Sequence, residues 1–303
     1  MVVRQIDGSA VPVRLTAADP LAPVCAVLGT AFREKPPGSL VPELVVADAP
    51  GWICALGLAD GTRLPELIEA VARRHRAAPH AAAALAWKAY TYALALPAVL
   101  GWASARRVPL LRPADVLVRL DTSRTVLGLG LRPSVRVAVL PSDPVAGHGG
   151  VEVVATDADL LHGLRASLLD AHLDPLLRHV RAATRLGMRT LLGSLASGVA
   201  HAVADAAEVL PGSAAEHART LLATLGVAHL VDLTPRPGGG LAVQRRTCCL
   251  AFTLPEARLC AGCCIQRVRQ PGASPFHVTS RGVPANLVSG SGVDMLRTDG
   301  RPL

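Results

Sequence analysis

Aromatic residues are scarce in this chain, which has three Phe, two Tyr and three Trp among 303 residues. Proteins that bind single-stranded nucleic acid stack the bases on aromatic rings, and no common nucleic-acid-binding motif is present. Nucleic acid is therefore not expected as a partner, although the formal net charge is +8.

Lysine is also nearly absent, since Lys35 and Lys88 are the only two and arginine carries the remaining positive charge. A solvated, arginine-rich surface explains this balance without any partner. The alternative is that the basic surface docks something acidic, such as an anionic metal chelate or an acidic electron-transfer protein.

No segment has the composition of a transmembrane span or a secretory signal. The longest apolar run, from Ala81 to Ala103, contains Lys88 and Pro97 and predicts a buried core helix. The first 20 residues carry charges of both signs and no apolar core. We therefore expect a cytoplasmic protein, for which the sequence still allows peripheral contact with a membrane.

The order of helical and strand periods predicts an α+β fold, a helix-rich domain with a short antiparallel β-meander. Thr156-x-x-Asp159 and Ser213-x-x-Glu216 are capping boxes that predict helix starts. The predicted helices begin at Leu64, span Ala81–Ala103, begin after Thr156, span Leu173–Leu186 and Arg189–Val209, and begin after Ser213. The predicted strands are Val116–Leu120, Val126–Leu129, Val135–Val139 and Val151–Val154, which short turns separate.

Three regions follow from this pattern. Residues 1–235 form the α+β domain, and residues 236–270 form a small C-terminal module that begins with a strand-like run from Leu241 to Leu254. Residues 271–303 are rich in Gly, Ser and Pro and predict a flexible tail.

Cysteine supplies the most informative pattern. Cys248 and Cys249 are adjacent, and Cys260 and Cys263 follow at the spacing Cys-Cys-x10-Cys-x2-Cys, with Cys264 directly behind. Four thiolates that converge are the ligand set of a [2Fe–2S] cluster or of a structural zinc. The distant Cys25 and Cys54 are expected to be ordinary small core residues.

The adjacent pair bears on which metal is bound. Successive side chains on a regular strand point to opposite faces, so Cys248 and Cys249 reach one metal only if the backbone bends there. A cluster of two irons offers two metal atoms to such a pair, whereas zinc offers one. This favours iron–sulfur over zinc and leaves zinc open.

The same segment resembles a known family. Arg245-Arg246-Thr247-Cys248-Cys249-Leu250, with Cys260-Ala261-Gly262-Cys263, is similar to the C-terminal signature of FhuF-like ferric-siderophore reductases. Lys88-Ala89-Tyr90 and Leu191–Ser197 resemble two of its helical segments, so the resemblance covers about Ala81 to Cys264. Cys264 and the residues after it depart from the family pattern.

The resemblance implies a function. Cys248, Cys249, Cys260 and Cys263 would hold a [2Fe–2S] cluster, and the protein would reduce Fe(III) in an imported siderophore so that Fe(II) is released. No dinucleotide fingerprint or P-loop is present, so the electron donor is expected to be a separate protein such as a ferredoxin or a flavin reductase. The sequence identifies no catalytic residue.

Three residues beside the motif have open roles. Arg245 and Arg246 are either exposed strand residues or contacts to the sulfurs and to an anionic substrate, and Cys264 is either a spare thiol or a further contact. Two other functions remain: a non-catalytic siderophore-binding or regulatory protein with structural zinc, and an iron–sulfur redox sensor in which Cys264 exchanges for a neighbour. Trp87 and Tyr90 are expected to belong to the core.

Overall fold

The structure of the protein is a computed structural model that describes Thr16 and residues 19–32, 40–46, 50–120, 127–257 and 259–265, with the backbone alone for residues 40–43. The tail predicted for residues 271–303 lies outside these residues. The described part is α+β, as the sequence predicts.

Two long helices form the centre of the fold. Helix α4, Pro79–Ala105, and helix α7, Met188–Asp205, make the most extensive contact of any two elements. Alanine is frequent in both, and a Cβ at Gly198 of α7 would lie 3.4 Å from Tyr92 Cα, so the two backbones approach closely. The indole N–H of Trp87 donates to the carbonyl of Leu191 at 2.7 Å across the interface. Trp87 and Tyr90 are buried, so their predicted core positions are confirmed.

Helix α4 is the one helix among the described residues that is long and apolar enough to cross a membrane by length and composition. Its most apolar window is 78% buried inside the fold. Since the surrounding elements cover it, α4 is the core helix that the sequence predicts.

The remaining helices surround this pair. Helix α1 (Ala22–Ala31) and helix α3 (Leu64–His75) pack on α4, and helix α8 (Ala214–Thr224) packs on α7. Helix α2 is short (Leu56–Ala59), while α5 (Asp157–Leu164), a π-helical segment (Arg165–Leu173) and α6 (Asp174–Thr184) follow one another without a break.

The structure has the full capping box predicted at Thr156, and of the box predicted at Ser213 it has the N-cap bond. The Asp159 N–H donates to Thr156 Oγ1 at 3.2 Å, and the Thr156 N–H donates to Asp159 Oδ2 at 3.0 Å, which completes the capping box of α5. At α8 the Glu216 N–H donates to Ser213 Oγ at 3.3 Å. These bonds satisfy donors that the first turn of a helix leaves free.

The described strands form three sheets. The largest has the order β1-β5-β4-β2, the second β3-β6-β7, and the third is the hairpin β8-β9. Their bounds are β1 Leu40–Val45, β2 Ile53–Cys54, β3 Val108–Pro109, β4 Val116–Leu120, β5 Leu127–Leu131, β6 Val137–Val139, β7 Val151–Val153, β8 Val231–Pro235 and β9 Leu241–Arg245.

The predicted antiparallel meander is only half right. Strands β4 and β5 pair antiparallel, with Val118 opposite Leu129, but β6 lies in a different sheet and pairs with β7 in parallel. Residues 140–150, a stretch of successive turns, return the chain to the start of β6 and thus replace the crossover helix that usually joins parallel strands.

A buried histidine connects α4 to the π-helical segment. His172 Nδ1–H donates to the Leu111 carbonyl at 2.8 Å, and the Tyr90 hydroxyl donates to His172 Nε2 at 2.7 Å. These are the donor and acceptor roles in the neutral ring, in which Nδ1 carries the proton and Nε2 accepts. Burial lowers the pKa of His172 to about 4, while the bond to Leu111 acts in the opposite direction.

This histidine predicts a loss of stability in mild acid. The unfolded chain binds a proton near pH 6.5 and the folded chain only near pH 4, so the stability present above pH 6.5 falls as the pH drops through that window. Between pH 7 and pH 5 the contribution of His172 should fall by about 2 kcal/mol. Denaturant unfolding at both pH values should show a smaller loss in His172→Gln; an equal loss in both proteins would contradict the account.

Candidate metal centre

The cysteine segment begins where strand β9 ends. Strand β9 stops at Arg245, so the predicted strand-like run to Leu254 is wrong after that residue. The chain bends at Arg246 and Thr247, and Leu250 has a left-handed φ of 64°. Because Cys248 and Cys249 follow this bend in irregular backbone, strand alternation does not direct their side chains, and the geometric argument against a single metal atom no longer applies.

Helix α7 positions this bend through a very close contact. A Cβ at Gly193 would lie 2.0 Å from Thr247 Oγ1, so only glycine allows the segment to lie against the helix. One residue further along α7, Ser194 Oγ accepts a hydrogen bond of 3.0 Å from Arg245 Nη2. The part of α7 that contains Gly193 and Ser194 is thus the surface on which the cysteine segment rests.

The second pair of cysteines lies on a tight turn beside β9. The Arg245 N–H donates to the Gly262 carbonyl at 2.8 Å, and the Cys263 N–H donates to the Cys260 carbonyl at 3.1 Å. The Gln244 side chain donates to the carbonyls of Gly262 and Cys263 at 3.1 and 3.0 Å. These bonds fasten the turn to the strand.

Two thiols from the two pairs are in contact. The sulfurs of Cys249 and Cys260 lie 3.6 Å apart and share a hydrogen bond. Two thiolates on one tetrahedral metal lie about 3.8 Å apart when the metal–sulfur bonds are about 2.3 Å. The sulfur pair therefore has the spacing that one metal requires.

The electrostatics of the pair favour one thiolate. The bond shared with Cys260 lowers the pKa of Cys249 to about 5 against the effect of burial, and the charges of Lys88 and Arg245 act in the same direction. The same interaction, together with burial, raises the pKa of Cys260. The contact thus favours ionisation of Cys249 over ionisation of Cys260.

The other three thiols, those of Cys248, Cys263 and Cys264, interact electrostatically. Burial raises the pKa of Cys264, and the charges of Cys248 and Cys263 raise it further, which places these three groups near each other. The Leu250 N–H donates to the Cys248 sulfur at 3.3 Å. Within the described part of the chain, no group of three or more His, Cys, Asp or Glu side chains has the arrangement of a metal site.

The four cysteine thiols are the type of ligand that a [2Fe–2S] cluster requires. Four thiolates are the usual ligands of such a cluster, and Cys249 and Cys260 already have the spacing of two ligands on one metal atom. Cys248 and Cys263 are the other predicted ligands, and they lie near Cys264.

Arg245 and Arg246 differ sharply in their exposure to solvent. Arg245 is 1% exposed, and its Nε donates to the Thr247 carbonyl at 3.2 Å in addition to the bond to Ser194. Arg246 is exposed, and its Nε donates to Asp232 Oδ1 at 2.8 Å in an ion pair. Of the two arginines, only Arg246 remains accessible to a substrate.

Sequence reasoning missed a polar group on α4 and α7. His201 donates to the Ala261 carbonyl, between Cys260 and Cys263 in the sequence; burial lowers the pKa of His201, while the charge of Asp205 opposes that effect. The Tyr92 hydroxyl donates to Asp205 Oδ2 at 3.4 Å. The signal available was the spacing of His201 and Asp205, which are four residues apart and so share one helix face.

A basic groove lies at the start of the same helix α7. Three arginines of α6 and its C-terminus line it together with the residues that lead into α7, and its volume is about 530 Å³. Gly187 lines the groove, and Ser194 lies seven residues on, about 10 Å along the helix. The lining residues are Arg178, Arg181, Ala182, Arg185, Leu186 and Gly187.

Comparisons with known proteins show only distant likeness. No protein-family model and no curated protein matches the chain. Two solved structures of aerobactin synthetase IucA from a hypervirulent pathotype of Klebsiella pneumoniae are similar. The ATP-bound one has 17% identity and a TM-score of 0.41 and covers 52% of this chain and 30% of its own. The other has 15% identity and a TM-score of 0.43, with coverages of 64% and 37%.

The turn between Cys260 and Cys263 predicts that Gly262→Ala disrupts the centre. Gly262 has φ +63°, and a Cβ there would lie 2.0 Å from the Val243 carbonyl oxygen, so the turn must move away from β9. We expect a loss of at least about 2 kcal/mol in denaturant unfolding, together with a loss of bound metal.

Gly239→Ala is the matched control for this variant. Gly239 has φ +82°, but a Cβ there meets nothing within 4 Å. It should therefore cost only the backbone strain, about 1 kcal/mol, and leave the bound metal unchanged. Equal metal content in the two variants would show that the turn does not position the ligands.

Proposed function

We propose that the protein is a one-electron reductase of ferric siderophores that holds a [2Fe–2S] cluster on Cys248, Cys249, Cys260 and Cys263. The 3.6 Å contact between the sulfurs of Cys249 and Cys260 carries this proposal, because it joins the two halves of the cysteine motif at metal-ligand spacing. Bound there, the cluster supplies a one-electron couple.

The residues of this chain hold and partly cover the ligands. Cys249 and Cys263 are buried, whereas Cys248 and Cys260 are partly exposed. Partial exposure leaves one side of the site open to a docked chelate or to an electron donor, while burial of the other side protects the sulfurs from water and oxidants.

The basic groove favours an anionic substrate. Arg178, Arg181 and Arg185 are exposed and line its wall, and guanidinium groups bind carboxylates and other oxygen anions well. Hard oxygen donors hold Fe(III) much more tightly than Fe(II). One electron delivered to the Fe(III) of a docked chelate would therefore release Fe(II), with the electron coming from a separate donor protein.

Anaerobic purification followed by a single-turnover assay tests the proposal. The full chain should contain about two irons and two sulfides, and after stoichiometric reduction it should convert one ferric chelate per chain to Fe(II), detected with a ferrous-specific chromogenic chelator. Cys263→Ser should lose both iron and activity, and Cys25→Ser should keep both. A colourless protein, or a coloured one that cannot reduce a ferric chelate, would refute the proposal.

Structural zinc is the second candidate. The bend at Thr247 releases Cys248 and Cys249 from strand geometry, so both sulfurs can in principle turn toward one metal atom. Such a protein would contain one zinc per chain after purification, and dithionite would leave its spectrum unchanged. Metal analysis of the same anaerobic sample separates the two functions.

The groove predicts that charge reversal slows reduction of anionic chelates. Arg181→Glu should lower the rate with a negatively charged ferric chelate about threefold or more, because an exposed charge contact contributes about 0.5–1 kcal/mol. The rate with a neutral ferric trihydroxamate should not change. Arg219→Glu, on the exposed face of α8, is the control; equal slowing by both variants would exclude the groove as the docking site.

A further inference from the structure

Two arginines are buried in the described part of the chain, and only one has an acidic partner. Arg107 is 9% exposed, and its guanidinium binds both carboxylate oxygens of Asp143 at 2.8 and 2.9 Å. Arg245 is 1% exposed and bonds only to the neutral oxygens of Ser194 and Thr247. Its third nitrogen, Nη1, is buried without any hydrogen-bond partner among the described residues.

An uncompensated guanidinium in this position is costly. Arginine keeps its charge under all ordinary conditions, so burial cannot neutralise it by deprotonation. Buried charges are therefore paired with an opposite charge or bound to one. No described carboxylate forms an ion pair with Arg245, which points to an anion that binds beside it.

The sulfur site is where such an anion would form. The Arg245 guanidinium donates to the carbonyl of Thr247, the residue before Cys248, and the Arg245 N–H donates to the Gly262 carbonyl in the turn between Cys260 and Cys263. Arg245 thus lies between the two cysteine pairs, and its charge acts on Cys249, Cys260 and Cys264. A second positive charge, that of Lys88 on helix α4, also acts on the thiols of Cys249 and Cys260. Lys88 forms no ion pair with a described residue. Four thiolates and two sulfides carry more negative charge than two irons neutralise, and reduction adds one more.

We propose that Arg245 is the buried counter-ion of the metal–thiolate group and that its charge raises the reduction potential of that group. The inference rests on the proposed function, since it assumes that the four cysteines bind a metal group with net negative charge. Arg245 acts through the ligands and is not a substrate contact, because its guanidinium is inaccessible from solvent.

Charge near a redox group favours the reduced state when it is positive, because reduction adds a negative charge. Arg245 is buried and is screened less by water and salt than Lys88, which is only half-buried. Removal of the Arg245 charge should therefore shift the potential more than removal of the Lys88 charge.

The test compares Arg245→Met and Arg245→Lys with Arg246→Met in the full chain. All three variants are reconstituted anaerobically with iron and sulfide, and the midpoint potential is measured by spectroelectrochemistry at constant pH and ionic strength. Arg245→Met should lower the equilibrium constant for reduction at least tenfold, a shift of about 59 mV to more negative potential. Arg245→Lys should stay within threefold of the wild type, and Arg246→Met should match it.

The potential and the iron content of the Arg245 variants together decide whether the charge of Arg245 acts on the metal group. A wild-type potential in Arg245→Met would overturn the inference while leaving the proposed function intact. If Arg245→Met retains no iron, Arg245→Lys must retain it, because loss in both variants would mean that the shape of arginine and not its charge is required.

A wild-type protein that binds zinc and no iron would refute the proposed function, and the inference would then be tested by chelator competition. Arg245→Met should weaken zinc binding at least tenfold, and Arg246→Met should not, because a zinc tetrathiolate is also an anion. Equal zinc affinity in both variants would overturn the inference as well.

Discussion

The contact of Thr247 with the bare backbone of Gly193 is the constraint on which the candidate site depends. It brings the bend after strand β9 against helix α7 at a distance that no larger residue than glycine allows. Because α7 packs on α4 and the buried bond from Trp87 to Leu191 joins the two helices, the cysteine segment rests on the helix pair at the centre of the fold. Packing of this kind is what holds a set of metal ligands in place.

The second feature of the site is its positive charge. Arg245 and Lys88 approach the sulfurs from two elements, and neither forms an ion pair with a described carboxylate. The bond shared with Cys260 is the main cause of the low pKa of Cys249, and the two positive charges act in the same direction. The same charges would balance the negative charge of a metal bound to four thiolates, so one arrangement serves both the free and the loaded protein.

Sequence reasoning succeeded where local interactions decide the structure. The caps at Thr156 and Ser213 and the apolar α4 helix follow from nearby residues, and the structure confirms them. It failed where contacts between residues far apart in the sequence decide the structure. The parallel pairing of β6 with β7 depends on the path of residues 140–150, and no local pattern shows it.

Some features of the candidate site are likewise visible in the sequence, and others depend on contacts between residues far apart in it. The cysteine spacing is visible in the sequence, but strand periodicity continued past Arg245, where the structure bends because Thr247 meets α7. The burial of Arg245 was equally hidden, since a charged residue on a two-stranded hairpin is normally exposed. Binding of iron by the four predicted cysteine ligands changes the mass of the folded protein, which can be measured.

Native mass spectrometry of the anaerobically purified full chain shows whether the four cysteines hold a [2Fe–2S] cluster. The folded protein should carry the added mass of two irons and two sulfides, and Cys263→Ser should lose this mass while Cys54→Ser keeps it. A folded wild-type chain with the mass of the polypeptide plus one zinc, or of the polypeptide alone, would contradict this assignment.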